Sequence, residues 1–115
     1  MEFARSDKQI KLVICLYEAI GTAFLLLGVN CSSSTTDPYA MPMIASIMYF
    51  AAYVTLSPVS GGHFNPAVTL GVVVREGRKH LKSNLIFSSL IMASQCFGGI
   101  FGVFVSMIMK KETNA

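Results

Sequence analysis

The stretch Ser60-Gly61-Gly62-His63-Phe64-Asn65-Pro66-Ala67-Val68-Thr69 decides how this chain is read. The residues leading into it, Ser57-Pro58-Val59-Ser60-Gly61-Gly62-His63, include two glycines and a proline. That composition predicts irregular backbone that cannot continue a helix. Asn65-Pro66 then opens a new one. Asparagine is a good N-cap, and a proline at the first helical position gives up an amide that has no partner there anyway. Apolar residues from Ala67 to Val74 carry this helix only as far as Arg75, where the charges begin. At about 1.5 Å per residue it reaches about 15 Å, half of a hydrocarbon core of about 30 Å. Such a segment is too apolar for water and too short to span lipid. It predicts a re-entrant half-helix over 66–75.

The surroundings are those of a membrane chain. Of 115 residues, 53% are hydrophobic and 13% charged, with a mean hydropathy of +0.59. A soluble domain carries about a quarter charged residues, so the low charge points to lipid as the solvent. Leu12 to Val29 is an apolar run broken only by Glu18 and Thr22. It exceeds the h-region of a signal peptide, about 7–15 residues, and no small-x-small cleavage site follows, so it predicts a first span over 12–29. A polar connection from Cys31 to Pro42 comes next. Within it, Asp37-Pro38 predicts an N-cap and a first-turn proline for a second span over 39–56. Beyond the half-helix, Leu85 to Met109 predicts a third span over 85–109, long enough to tilt. Its Ser94, Gly98 and Gly102 follow a small-xxx-small spacing that lets helices approach closely in lipid. The expected fold class is an all-α membrane protein of three transmembrane helices and one re-entrant half-helix, in a single domain over 1–115.

Charge sets the expected orientation. Arg5, Lys8 and Lys11 lie on one side with Arg75, Arg78, Lys79 and Lys82, against Lys110 and Lys111 on the other. The positive-inside rule puts the N-terminus and the loop 75–82 on the cytoplasmic or equivalent side, and the C-terminus opposite. The net charge of +3 forms no basic stripe, which argues against nucleic acid as a partner. Cys15, Cys31 and Cys96 match no metal or redox spacing and read as small packing residues. Neither metal nor cofactor is expected. No acid, base, nucleophile and oxyanion site converge, so an enzyme is not expected either. Asn30-Cys31-Ser32 is a formal glycosylation sequon, yet it hugs the end of a span and carries little weight.

Backbone stranded at membrane depth must be buried in protein or face a water-filled path. On such a path, the carbonyls of Gly61, Gly62, His63 and Phe64 offer acceptors to a polar solute. Asn65 caps the half-helix and adds amide donors. The helix N-terminus carries about half a positive charge, which disfavours cations. These ingredients suit a neutral solute, although Asn-Pro alone is an ordinary helix start. Glu18 is a carboxylate within a span, and such a group is by default a proton relay or ion site. The competing reading makes it a buried acceptor for the unpaired amides of the irregular loop, and those amides favour it. By the same logic His63 reads as a hydrogen-bonded brace of the loop, and Gln95 as an interior hydrogen-bonding residue. Phe97, Phe101 and Phe104 read as lipid-facing or packing aromatics.

The ten residues from Ser60 to Thr69 resemble the first signature loop of the major intrinsic protein family, the aquaporins and glycerol channels. The order span, span, Asn-Pro-Ala half-helix, span is similar to one repeat of that inverted-repeat fold. Glu18, in Tyr17-Glu18-Ala19-Ile20-Gly21-Thr22, resembles the family's first-helix glutamate near a Gly-Thr pair. Gln95, in Ala93-Ser94-Gln95, resembles a third-helix glutamine. The resemblance implies that Asn65, with Pro66 and Ala67, is one of two asparagines that meet mid-pore, and that Gly61 to Phe64 supply a carbonyl ladder. Selectivity would then be set by diameter, lining groups and half-helix dipoles, as in aquaporin-type pores generally.

Two departures qualify the resemblance. Counting back twenty residues from Asn65 lands on Ala45, where the family places a bulky aromatic or a histidine; this implies a wider constriction. The sequence also has no second Asn-Pro-Ala and no filter arginine from a second loop. The expected function is therefore half of a channel for water or small uncharged solutes, needing a second half to form a pore. The expected partners are the lipid bilayer, a second half-channel chain or other membrane subunits, and the solute itself. The alternative is a non-transporting structural subunit of a larger membrane complex that uses the half-aquaporin fold for packing. A self-made inverted pair runs against the charge bias.

Overall fold

A computed structural model describes residues 6–33, 37–76 and 81–113, apart from the side chains of 76, 81–83 and 113. Arg5, Arg78, Lys79 and the side chain of Lys82, all counted in the charge bias above, lie outside the described residues. Four helices account for the described chain: α1 (Asp7–Ser32), α2 (Ala40–Ser60), α3 (Pro66–Glu76) and α4 (Leu81–Thr113). α1, α2 and the Asn84–Glu112 stretch of α4 are long and apolar enough to cross a membrane, whereas the apolar helix Pro66–Arg75 is too short. The fold is all-α, as the sequence predicts.

Helix ends show where local chemistry departs from the apolar pattern. α1 starts ahead of its apolar run because Ser6 closes a capping box: its hydroxyl accepts from Gln9 N at 3.4 Å, and Gln9 Oε1 accepts from Ser6 N at 3.0 Å. Lys11 and Asp7, paired at 2.7 Å, reinforce the first turn. The expected start of the second span is corrected. Asp37 Oδ1 accepts from Tyr39 N at 2.9 Å, and Ala40 N donates to Asp37 O at 3.3 Å. These bonds form a turn over Pro38, and the helix begins only at Ala40, with Tyr39 as its N-cap.

The end of the second span is corrected as well. α2 does not stop at Leu56 but runs through Pro58 to Ser60. Proline removes one helical hydrogen bond and crowds the preceding turn, which a helix survives when its flanks are regular. A glycine in the left-handed region reverses the chain. Gly61, with φ of 93°, does so here, and its N–H caps Ser57 O at 2.8 Å. α4 is also longer than 85–109. It takes in part of the basic stretch at one end and holds Lys110 and Lys111 in its last turn, where the helix dipole favours cations.

α1 is the central helix, packed along α4 and over a shorter length against α2, while α3 leans on α4. The α1–α4 seam is made by absence of side chains. A Cβ on Gly98 would fall on the carbonyl oxygen of Ala19, and one on Gly102 on that of Ala23. One turn back, Ser94 stands beside Cys15, so the register repeats every four residues. The molecule is polar inside and apolar outside. Glu18, Thr69 and Gln95 are fully buried, whereas Phe97 is 74% exposed and Phe50 70%. In lipid that arrangement is the stable one, since only buried groups need hydrogen-bond partners from the chain.

Candidate functional site

The link between α2 and α3 is four residues of backbone that no helix or strand satisfies. Gly61 and Gly62 take positive φ, and so does Phe64, at 47°. At Gly62 a Cβ would strike Ser57 and the ring of Tyr53. For Phe64 the left-handed region costs about 1–2 kcal/mol, so something must hold it there.

Glu18 does. Its Oε1 accepts from His63 N at 3.0 Å, and its Oε2 accepts from Phe64 N at 2.6 Å and from Gln95 Nε2 at 2.8 Å. Gln95 Nε2 also donates to Thr69 Oγ1 at 3.0 Å. The single Thr69 proton has two carbonyl oxygens in reach, Asn65 O at 3.3 Å and Gln95 Oε1 at 3.4 Å. His63 Nδ1 lies 3.1 Å from the same hydroxyl. Glu18 belongs to α1, Gln95 to α4 and Thr69 to α3, so one buried polar cluster ties three helices to the loop. Among the described residues, no buried side-chain nitrogen or oxygen lacks a partner.

These bonds fix where α3 begins. Glu18 and Gln95 sit near the middle of their helices, so the loop reaches the middle of the bundle before it turns. α3 then runs back toward the early turns of α1 and α4. There Val72 and Val73 share a cavity of about 260 Å³ with Ile14, His63, Asn84 and Phe87. Asn65 Oδ1 accepts from Ala67 N at 2.8 Å, and Asn65 O accepts from Thr69 N at 3.1 Å. This is the N-cap bonding expected from Asn-Pro.

Past the N-terminus of α3 lie two larger cavities. One, of about 610 Å³, is walled by α1 and α2 and includes Ala45, Ser46, Tyr49 and Tyr53. The other, of about 630 Å³, lies between α1 and α4 and includes Pro66, Gln95 and Cys96. Thr22, Leu26, Phe64 and Asn65 line both.

The sequence-derived candidates thus fall into three groups. Asn65, Ala67 and Gly61 are exposed, Pro66, His63 and Ala45 are half-buried, and Gly62 and Phe64 are buried. Glu18 and Gln95 meet at the loop. Gly98 and Gly102 meet α1, while the hydroxyl of Ser94 donates to Ile91 O of its own helix at 2.7 Å. Two contributors were not singled out by the sequence reading. Thr69 is one, although its position four residues after Asn65 puts it on the buried face of α3. Gly21 is the other; it receives the ring of Phe64. The cysteines are all free, and the described residues hold no group of His, Cys, Asp and Glu arranged to bind a metal.

Comparison with known proteins gives this geometry a family. Aquaporin-8 of Mus musculus is 35% identical over 103 residues, which cover 85% of this chain and 37% of that protein. Aquaporin PIP2-7 of Musa acuminata is 42% identical over 69 residues, 59% of this chain and 23% of the relative. Aquaporin PIP2-4 of Oryza sativa subsp. japonica is 45% identical over 56 residues, 49% and 18% of the two chains. The chain therefore spans well under half the length of these curated relatives. No solved structure matches it at comparable significance. The family model described as major intrinsic protein matches residues 7–115, the whole of the helical bundle together with the loop that Glu18 holds, and the chain belongs to that family.

Proposed function

We propose that this chain forms one half of a membrane channel for water or small uncharged solutes, and that a second half in the opposite orientation completes the pore. The observation that carries the reading is the start of α3: a helix N-terminus halfway along the bundle, with an exposed asparagine over two cavities. Asn65 Oδ1 is taken by Ala67 N, which leaves the amide N–H groups for a solute oxygen. The carbonyls of Gly61 to Phe64 are the complementary acceptors along the approach. The partial positive charge at the head of α3 raises the energy of a cation there and costs a neutral molecule nothing. Ala45, a small residue in the cavity wall beside Asn65, leaves room for solutes larger than water.

In this reading the ends that carry Lys8, Lys11 and Arg75 face the cytoplasm or its equivalent, and the C-terminus lies across the membrane. The competing reading is a structural subunit, in which helices of other subunits fill both cavities. It draws on the outer face of α3, where Val68, Leu70 and Val74 are all exposed and apolar.

The deciding experiment is stopped-flow osmotic swelling of vesicles that hold the chain with whatever co-purifies from its native membrane. Wild type should raise water or solute permeability above that of protein-free vesicles, and Asn65→Leu should return it to that baseline. Equal permeability with and without the substitution would transfer the case to the structural subunit.

A further inference from the structure

We propose that Gly21 is a positioning residue for Asn65, acting through the ring of Phe64; its bearing on permeation rests on the channel reading above. Phe64 is held by one turn of α1 at two points. Glu18 takes its N–H, and Gly21, three residues on and so on the same side of the helix, takes its ring. The fit leaves no slack, because a Cβ built on Gly21 would fall among the ring atoms Cδ1, Cε1 and Cζ. Nor can the ring retreat toward α2, since Tyr49 meets it edge-on with centroids 6.5 Å apart. Phe64 is only 3% exposed, and its left-handed backbone leads directly into Asn65.

A side chain at position 21 therefore has a single outlet. It pushes Phe64, and Phe64 moves the residue joined to it, the exposed asparagine that opens α3. Helix propensity works the other way, since alanine favours a helix over glycine by about 1 kcal/mol. Any loss on Gly21→Ala thus comes from the ring.

The test is a double-mutant cycle of Gly21→Ala and Phe64→Ala in the full chain, with two readouts. One is vesicle permeability. The other is the side-chain amide resonance of Asn65 in protein labelled with ¹⁵N-asparagine, which needs no transport. Gly21→Ala alone should move the Asn65 resonance and lower permeability about tenfold, equivalent to about 1.4 kcal/mol. In the Phe64→Ala background the same substitution should change neither. Equal effects in both backgrounds, or an unmoved Asn65 resonance in Gly21→Ala, overturn the proposal. Should Phe64→Ala lose its helicity, Phe64→Leu, which lacks Cε1 and Cζ, runs the same cycle. Coupled resonances in a protein without permeability would remove the channel reading and leave the positional coupling in place.

Discussion

α1 meets its neighbours in two contrasting ways. Toward α4 it offers Cys15, Ala19 and Ala23, and the glycines opposite bring backbone onto backbone. Toward the loop it offers Glu18, Gly21 and Thr22, and the contact is a set of buried hydrogen bonds. Lipid tails are as apolar as leucine, so burying apolar surface between two helices gains little in a membrane. What remains is close packing and hydrogen bonding, and the two sides of α1 use one each. The seam is a sum of many small dispersion contacts, so it should weaken by degrees. The brace consists of polar groups with nowhere else to bond, so it should fail as a unit.

The largest effect should come from Glu18→Leu. It leaves the amides of His63 and Phe64 and one Gln95 donor without their acceptor, and each buried orphan costs about 1–3 kcal/mol. We expect a loss of at least about 3 kcal/mol in detergent unfolding, together with rapid hydrogen exchange at those two amides. A loss below about 1 kcal/mol, the worth of a single ordinary bond, would show that the loop holds itself and would erase the contrast.

The seam should give a smaller, graded response. Gly98→Ala and then Gly98→Val drive progressively more bulk onto the Ala19 carbonyl, an overpacking that costs about 1–3 kcal/mol. Unfolding midpoints should fall in that order while the amides of His63 and Phe64 stay protected. If exchange at those amides accelerates along with the falling midpoint, the two sides of α1 are one cooperative unit and the distinction collapses.

The same contrast governs what the sequence made legible. The half-helix was readable to within one residue because its limits are chemical: an Asn-Pro start and charges at Arg75. The small residues of the seam were readable because their spacing follows the helix itself. Glu18 stood out as the carboxylate inside an apolar run, and the amides that meet it were predictable as a class, since stranded backbone needs acceptors. The end of α2 was misplaced because Pro58 was weighted above Gly61, although only the glycine's left-handed backbone turns the chain. The turn over Pro38 was hidden for a related reason. Asp37 can cap a helix or close a turn with the same oxygen, and local sequence does not choose between them. Gly21 was silent because a glycine in a helix takes its meaning from whatever arrives opposite, here a ring more than forty residues later.

The smallest effect should come from Thr69→Val, which keeps the shape and removes the hydroxyl. Gln95 Nε2 loses its bond to Thr69 but keeps the one to Glu18 at 2.8 Å, and Glu18 still accepts from both loop amides. His63 is half-buried beside a cavity that includes Ser60 and Asn84, so its ring has other polar company. One ordinary hydrogen bond is lost without stranding the backbone, which sets the cost at about 1 kcal/mol. Exchange at the His63 and Phe64 amides should stay as slow as in wild type, in contrast to Glu18→Leu. Were Thr69→Val to release those amides as fully as Glu18→Leu does, the brace would hinge on the hydroxyl of α3 rather than on the carboxylate of α1. The half-helix would then help to hold the loop that positions it.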